Sequence, residues 1–247
     1  APLHTSSTGM MRVFERDDAK SVAVTDPNQS NFGPVGWNRV GETILGKALA
    51  DNFGQAVSLS ADGTIVAGGG ATIEPWIDGT GMGPGKGYVQ VYKYKIPTTN
   101  EWTNGNVIKG ADTDVTPVPD KLYWTQLGLD IEGEAVSDRF GYSVSLSADG
   151  TRVAIGAIAH NTKKGYMRVY QYANTNWTLV QHIDGEALTD SFGHSVSLNA
   201  NGENVIIGAL YNDGGNAATD DRGHVQIYQL QVILANTSTI PANNYFI

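Results

Sequence analysis

The chain has 247 residues, a net charge of −9 and no cysteine. The acidic balance argues against nucleic acid or an anionic membrane surface as a partner, because both attract basic proteins. No apolar run approaches the roughly 18 residues of a membrane span, so membrane insertion is not expected. The lack of cysteine excludes disulfides, zinc–thiolate sites and cysteine nucleophiles. Thirty glycines indicate a turn-rich, all-β protein.

The first predicted elements lie in residues 9–46. Residues 9–15 follow a glycine and alternate between apolar and polar side chains, which predicts a strand. A polar loop at 17–36 separates it from a second predicted strand, which begins at Trp37. Residues 9–15 closely match a later segment at 165–171, where a strand is the third of its unit. The chain is therefore expected to open in the middle of a repeat.

A repeated motif organises the rest of the chain. It starts with D-x-F-G at Asp51, Asp138 and Asp190, and the three copies align without a gap over about twenty residues. Each copy has an alternating run, which predicts a half-buried strand, then Asp-Gly or Asn-Gly, which predicts a two-residue hairpin, then an apolar strand. A third strand begins at a glycine, and a fourth is predicted after a tryptophan. These glycines and tryptophans are Gly87, Gly165 and Gly223, and Trp37, Trp124 and Trp177.

Units of four short antiparallel strands that recur at about 40 to 50 residues are typical of β-propeller blades. The F-G opening, the G-A closure and the spacing resemble FG-GAP repeats, the blades of the integrin α-subunit head and of many secreted surface proteins. The resemblance covers most of residues 37–230. It implies one all-β propeller domain or propeller segment with about 3.5 blades, and a secreted or cell-surface location. The predicted parts are a half-blade at 9–46, blades at about 51–133, 138–185 and 190–234, and a tail at 235–247.

One feature of FG-GAP blades is missing. Many of them carry a calcium loop of the type D-x-N-x-D-G after the first strand, whereas the hairpins here contain only Ser-Ala-Asp-Gly or Asn-Ala-Asn-Gly. The resemblance therefore does not extend calcium binding to these hairpins, and we expect no cofactor. The remaining calcium candidates are Asp213, Asp220 and Asp221, which cluster with other oxygen-bearing side chains in the loop at 211–222.

Residues 96–123 form an insertion between the third strand of the first full unit and its fourth. The segment at 102–110 resembles the tryptophan-led element at 177–185, but no F-G pair follows it. Either Trp102 or Trp124 begins the true fourth strand, or both segments pair. The insertion and the loops at 71–86 and 211–222 are predicted to present a binding surface.

Three further sets of residues are candidate surface features. Asn28, Asn176 and Asn236 each open an N-x-S/T sequon and are candidate N-glycosylation sites in a secreted eukaryotic protein. Trp76, Trp102 and Tyr211 are candidate platforms on which a sugar ring could stack.

No catalytic centre is predicted. The five histidines lack metal-ligand spacing, and no G-x-S-x-G motif occurs. Asp51, Asp138 and Asp190 recur at one place of the repeat, which favours a role in fixing a turn through backbone N–H groups. The sequence therefore predicts a protein that is not an enzyme.

The predicted blades do not complete a ring, because propellers have about four to eight blades. Three explanations stay open: a fragment of a longer propeller, an irregular four-bladed ring with one thin blade, or a ring completed in trans by another copy or protein. It begins at Ala1 rather than Met, from which we expect a processed or truncated polypeptide.

These features predict a non-catalytic extracellular structural or adhesive module, a subunit or segment of a larger assembly. Its expected partners are other proteins or further copies of itself. The alternative is a lectin or enzyme acting on polysaccharide, with glycan ligands.

Overall fold

The computed structural model describes residues 8–27, 29, 31–48, 51–71, 85–110, 116–214 and 221–230. These ranges contain fourteen strands and two short helical segments, so the all-β prediction is confirmed. The elements are β1 (Met10–Arg16), β2 (Trp37–Leu45), β3 (Ala56–Leu59), β4 (Ile65–Gly70), β5 (Tyr88–Lys95), α1 (Thr99–Thr103), β6 (Tyr123–Gln126), β7 (Ile131–Glu132), β8 (Phe140–Leu146), β9 (Arg152–Ala157), α2 (His160–Lys163), β10 (Tyr166–Ala173), β11 (Asn176–Asp184), β12 (Phe192–Leu198), β13 (Asn204–Ala209) and β14 (His224–Gln229).

The strands form four antiparallel sheets in chain order. Sheet 1 pairs β1 with β2, and sheet 2 has the order β3-β4-β5-β6 with β7 also paired to β5. Sheet 3 has the order β8-β9-β10-β11, and sheet 4 has the order β12-β13-β14. Each sheet thus holds strands that are consecutive in the chain. No closed ring is found among the sheets of the described ranges.

Each sheet packs its apolar face on the next sheet along the chain. Buried side chains of sheets 1 and 2 form one core, which includes Ile44 and Phe53. A second core joins sheets 2 and 3 around Val89 and Phe140, and a third joins sheets 3 and 4 around Met167. Alternation along each strand places successive side chains on opposite faces, so an inner sheet can contribute to two cores at once.

The glycine that opens each third strand lets the next sheet approach closely. Gly87 forms a parallel bridge with Phe140, and Gly165 forms the same bridge with Phe192. A Cβ on either glycine would lie 2.1 Å from the carbonyl oxygen of that phenylalanine. Both glycines also have a positive φ, which disfavours any other residue. The D-x-F-G motif and the third-strand glycine are therefore two halves of one contact between sheets.

The hairpins between first and second strands differ from the prediction. The Asp-Gly pair was predicted to form a two-residue turn with a positive φ at both positions, but only the glycine, such as Gly63, has one. The loop instead spans four residues, because Ser60 N–H donates to the oxygen of Ile65 and Gly63 N–H donates to the oxygen of Ser60. Asp62 fixes the loop by accepting from the Ser60 and Thr64 hydroxyls. The two-residue prediction is wrong because these side-chain bonds stabilise a wider turn.

The insertion at 96–123 resolves the choice between the two tryptophans. Trp124 lies on β6, the strand that pairs with β5, whereas Trp102 lies on α1. Thr98 and Glu101 form a capping box at the start of this helix. Val107 then makes an isolated bridge with Thr125. Trp124 is thus the tryptophan on the fourth strand, β6. The segment after Trp102 pairs with that strand through one isolated bridge.

Candidate interaction surface

The repeated aspartates hold the loops that enter each sheet. Asp51 accepts backbone N–H bonds from Lys47 and Ala48, and it also accepts from the Tyr88 hydroxyl. Asp138 accepts in the same way from Ala135 and from the Tyr166 hydroxyl. All three aspartates are buried. The prediction that they fix turns is confirmed for Asp51 and Asp138 by these bonds.

Asp190 keeps the backbone bond and changes the side-chain partner. Its carboxylate accepts from Ala187 N–H and from the side-chain amide of Asn212. Sheet 4 has His224 where the other units have a tyrosine, so Asn212 replaces the missing hydroxyl. The turn is conserved in geometry across the three units although its donor changes.

Asp138 forms a histidine–carboxylate pair, an arrangement that also occurs in acid–base catalysis. His160 Nδ1 lies 2.9 Å from Asp138 Oδ1, and the His160 ring packs edge-on against Tyr166. The carboxylate is already bonded to a backbone N–H and to a hydroxyl, and among the described residues no bond joins His160 to a serine or threonine hydroxyl. A histidine–aspartate pair without a nucleophile does not form a triad. The pair stabilises the loop that precedes Phe140.

A row of polar clusters lies beside these turns, one for each pair of neighbouring sheets. In sheet 2, Asp130 accepts from Gln90 and Gln126 at 2.8 Å each and pairs with Lys47. Between sheets 2 and 3, Glu134 stands at the repeat position of Lys47 and Arg168 at that of Gln90. These two residues form a 2.7 Å ion pair. The loop residue is thus positive in the first cluster (Lys47) and negative in the second (Glu134), and its partner on the sheet has the opposite charge in each case.

The other contacts of these clusters are internal as well. Arg168 Nε donates to His182 Nδ1. Because Nδ1 accepts this bond, His182 carries its proton on Nε2, which lies 2.9 Å from Asp184 Oδ1. In sheet 4, Gln226 donates to Glu186 at 2.6 Å. Lys47 pairs with Asp130 and Arg168 with Glu134, while Glu186 accepts from Gln226, so the polar groups of each cluster bond to one another and link the sheets.

The pKa shifts agree with this pairing. Burial opposes ionisation of Asp130, but the bonds from Lys47, Gln90 and Gln126 outweigh it and lower the pKa of this carboxyl. The bond to Asp130 in turn raises the pKa of Lys47. Burial raises the pKa of both the Tyr88 and the Tyr166 hydroxyl, so both remain protonated donors.

The outer face of sheet 4 exposes three apolar side chains. Ile206, Val225 and Ile227 are 42%, 59% and 56% exposed. Aligned by the repeat, they correspond to Ala154, Met167 and Val169 of sheet 3, all of which are fully buried against sheet 4. The equivalent residues of sheet 2 are buried against sheet 3: Ala67, Val89 and Val91. Sheet 4 thus exposes the face that the two preceding sheets bury.

The opposite end of the stack is covered differently. The outward side chains of β1, among them Arg12 and Phe14, line a cavity of about 580 Å³ together with residues 23–25 and 32–34 of the loop that follows. The Arg12 guanidinium lies 4.9 Å from the centre of the Phe32 ring. Burial, and Arg39 nearby, lower the pKa of Arg12. The described residues of the loop at 17–36 therefore cover one end of the stack, whereas no element in the described ranges covers the sheet 4 face.

The predicted ligand-stacking residues differ in their exposure to solvent. Trp102 is only 1% exposed: its ring packs edge-on against Tyr123 and carries the Lys109 ammonium at 4.1 Å. Trp102 is therefore not available as a sugar platform, because its faces are already covered. Tyr211 is 45% exposed and remains a candidate. Trp76 lies outside the described residues.

The other predicted site residues remain untested. Asp221 N–H donates to Asp213 Oδ1 at 3.1 Å, and Asp220 lies outside the described residues. Within the described ranges no group of three or more acidic or histidine side chains could hold a metal ion. Asn176 is exposed at the start of β11, while Asn28 and Asn236 fall outside the description. No helix in the described part of the chain is long and apolar enough to cross a membrane.

Sequence reasoning missed the exposed residues of sheet 4. Each of Ile206, Val225 and Ile227 occupies an ordinary strand position, so the pattern predicts burial for all three. The signal that could have found them is the comparison of repeats: they align with Ala154, Met167 and Val169, which the following unit buries, and residues 194–247 contain no D-x-F-G motif.

Comparisons with known proteins leave the family open. No family model matches the chain, and no curated protein matches it. The complex of KlAtg21 with the coiled-coil of AgAtg16 has a TM-score of 0.41 and 13% identity, over 72% of this chain and 40% of that one. A protein of Bacteroides uniformis, described as a candidate 6-phosphogluconolactonase, has a TM-score of 0.43 and 13% identity, over 90% of this chain and 52% of that one. The chain thus spans about half or less of those chains, and the likeness is too low to carry an argument.

Proposed function

We propose that the chain is a segment of an FG-GAP-type β-propeller that serves as a non-catalytic structural and interaction module in a larger extracellular assembly. The observation that carries the proposal is the exposed outer face of sheet 4, where Ile206, Val225 and Ile227 occupy positions that the preceding sheets bury. An exposed apolar face of this kind on a stable sheet is typical of an interface with another protein.

The way in which the sheets pack supports the propeller arrangement. Sheets 1, 2 and 3 each receive the F-G segment of the following sheet through the same glycine contact, at Gly9, Gly87 and Gly165 respectively. Repeated contacts of one geometry place each sheet in the same relation to the next, as blades are placed around a propeller axis.

The proposal that the module is non-catalytic rests on the polar clusters beside the turns. Their charged groups pair within the chain, as in Lys47 with Asp130 and Arg168 with Glu134. Enzyme sites more often hold a titratable group near a nucleophile and an open pocket. The polysaccharide alternative now depends, within the described residues, on Tyr211, since Trp102 is buried.

The native mass of the purified chain, measured by light scattering, tests the proposed interface. We expect the wild type to self-associate through its exposed apolar face, and Ile227→Lys to reduce the native mass to one chain, because a charge there opposes burial. Leu129→Lys is the matched control, since Leu129 is 80% exposed and lies away from the sheet 4 face. A single-chain mass for the wild type, together with no binding of the peptide described below, would contradict the proposed function.

A further inference from the structure

The outer face of sheet 4 retains the contact residues that receive an F-G strand in the earlier sheets. Gly69 of sheet 2 and Gly156 of sheet 3 occupy the same repeat position, at the end of the second strand. A Cβ on Gly69 would lie 2.1 Å from the Gly141 oxygen, and one on Gly156 would lie 2.0 Å from the Gly193 oxygen. These glycines are thus required because the next F-G pair passes directly over them.

The equivalent residue of sheet 4 is again a glycine, Gly208. A Cβ on Gly208 would lie 2.5 Å from the Ser195 hydroxyl oxygen, much as one on Gly156 would lie 2.4 Å from the Ser143 hydroxyl oxygen. Among the described residues, however, no backbone atom of another sheet lies within 4 Å of that Cβ. A glycine in the interior of a strand weakens the strand unless another backbone approaches it. Gly208 therefore keeps the residue type found at Gly69 and Gly156 without their backbone contact to a following sheet.

A serine on the first strand is likewise in contact with the next sheet in sheets 2 and 3 but not in sheet 4. Ser58 accepts the Leu146 N–H of the next sheet at 2.9 Å, and Ser145 accepts the Leu198 N–H at the same distance. The equivalent residue of sheet 4 is Ser197, which is exposed and whose side-chain hydroxyl makes no hydrogen bond within the described part of the chain. One hydroxyl acceptor, one glycine and three apolar side chains are thus placed on this face as they are on the faces already occupied.

We infer that this face binds the D-x-F-G hairpin of a further repeat unit, supplied by polypeptide outside the 247 residues. The inference rests on the proposed function and adds the identity of the partner: a β-hairpin whose phenylalanine enters beside Ile227 and whose glycine passes over Gly208. The apolar residues supply the buried area, while Gly208 and Ser197 select a strand that brings its backbone close.

Two other occupants, residues 231–247 of this chain and a second copy of the chain, fit the face less well. Residues 231–247 contain no F-G pair. In a second copy, Phe53, Phe140 and Phe192 are already seated beside their own glycines. The remaining pair, Phe32-Gly33, lacks the aspartate two residues earlier and is followed by a proline, which disfavours a central strand. The partner strand must therefore come from a further unit.

A cyclised peptide tests the inference. The probe is a head-to-tail cyclised peptide of residues 138–157, since an isolated linear hairpin is only marginally stable in water and cyclisation preorganises it. Its fluorescence anisotropy is measured against the full chain. We expect saturable binding to the wild type and to Leu129→Lys, and loss of binding to Ile227→Lys. A peptide carrying Phe140→Ala should also fail to bind.

Gly208→Ala separates an F-G hairpin from any other occupant. Its added methyl group faces only the Ser195 hydroxyl in the free chain, but it would meet the backbone of a bound F-G pair. We expect it to weaken peptide binding by at least about tenfold, the effect of close-contact overpacking. Thermal unfolding of each variant confirms that it is folded.

The outcomes separate the two proposals. If self-association is lost in Ile227→Lys but the peptide does not bind, the interface stands and the F-G inference is overturned in favour of a second copy. If the peptide binds Gly208→Ala as tightly as the wild type, the F-G inference is also overturned. If neither self-association nor peptide binding is seen, both proposals fail.

Discussion

Gly156 and Gly208 occupy one position in successive repeat units, but their surroundings differ. A Cβ on Gly156 would collide with a backbone oxygen of sheet 4, whereas a Cβ on Gly208 would meet only a rotatable hydroxyl. We predict that Gly156→Ala lowers the free energy of unfolding by about 1–3 kcal/mol, and that Gly208→Ala changes it by less than about 0.5 kcal/mol. Urea titration of the two variants measures the difference. Equal destabilisation would show that this glycine is required by the strand itself and not by the neighbouring sheet.

Trp102 and Tyr211 were both predicted to bind a ligand, and the structure separates their roles. Because Trp102 is buried against Tyr123, we predict that Trp102→Ala lowers the free energy of unfolding by about 3–5 kcal/mol. Tyr211→Ala, at a half-exposed position, should change stability by less than about 0.5 kcal/mol. Thermal unfolding measures the stability of both variants. A glycan array then tests the polysaccharide alternative: specific binding that Tyr211→Ala abolishes would support it.

At the scale of the element, the Ser-Ala-Asp-Gly turns give the hairpins a dependence on pH. Bonds from the Ser60 hydroxyl and from the Thr64 N–H and hydroxyl lower the pKa of Asp62 to about 2. In the equivalent turn burial opposes the shift, but the bonds from Ser147 and Thr151 lower the pKa of Asp149 overall. Since ionisation is more favourable in the folded state than in the unfolded chain, the carboxylates stabilise the fold above a pH of about 4.

We predict that this stabilisation is lost as the pH falls from about 4 to about 2. Asp62→Asn removes the titrating group while keeping an acceptor oxygen, as Asn201 does in the third copy of the turn. The melting temperature of Asp62→Asn should therefore lie below that of the wild type near neutral pH, and the gap should close in acid. Melting temperatures recorded over this pH range measure the gap. A gap that widens with acidification would reverse the assigned sign.

At the scale of the whole molecule, the stack has two inner and two outer sheets. Sheets 2 and 3 pack on a neighbour at both faces, whereas sheet 4 has one exposed face and sheet 1 has only two strands. In a stack of this kind the stability of each unit depends on its neighbours. The outer sheets should therefore open more readily than the inner ones.

Hydrogen exchange tests this order. We predict slower exchange for the amides of β4 and β9 than for those of β1 and β13, since second-strand and third-strand amides of inner sheets are covered on both faces. Binding of the cyclised peptide should then slow exchange in β13 and leave β1 unchanged. Uniform exchange over all four sheets would instead indicate a single cooperative unit.

Much of this architecture is determined by the sequence alone. Alternation from Ser143 to Ser147, the glycines that open the third strands and the repeated D-x-F-G motif fix an all-β chain of repeated antiparallel units, because these patterns depend on local geometry. The repeated aspartates could be assigned to turns for the same reason. The width of the hairpins was missed, since it is set by side-chain bonds of Ser60 and Asp62 that the Asp-Gly signal does not report.

The tertiary structure decided what the pattern could not. Trp102 and Trp124 head similar segments, and only packing places one on a helix and the other on a strand. Ile155 and Ile227 are both apolar strand residues, yet the first is buried and the second exposed. Exposure depends on whether another sheet covers the face, which is a property of distant parts of the chain and not of the local residues. Comparison of the repeats points to the candidate interface, and the packing of the sheets shows that its residues are exposed.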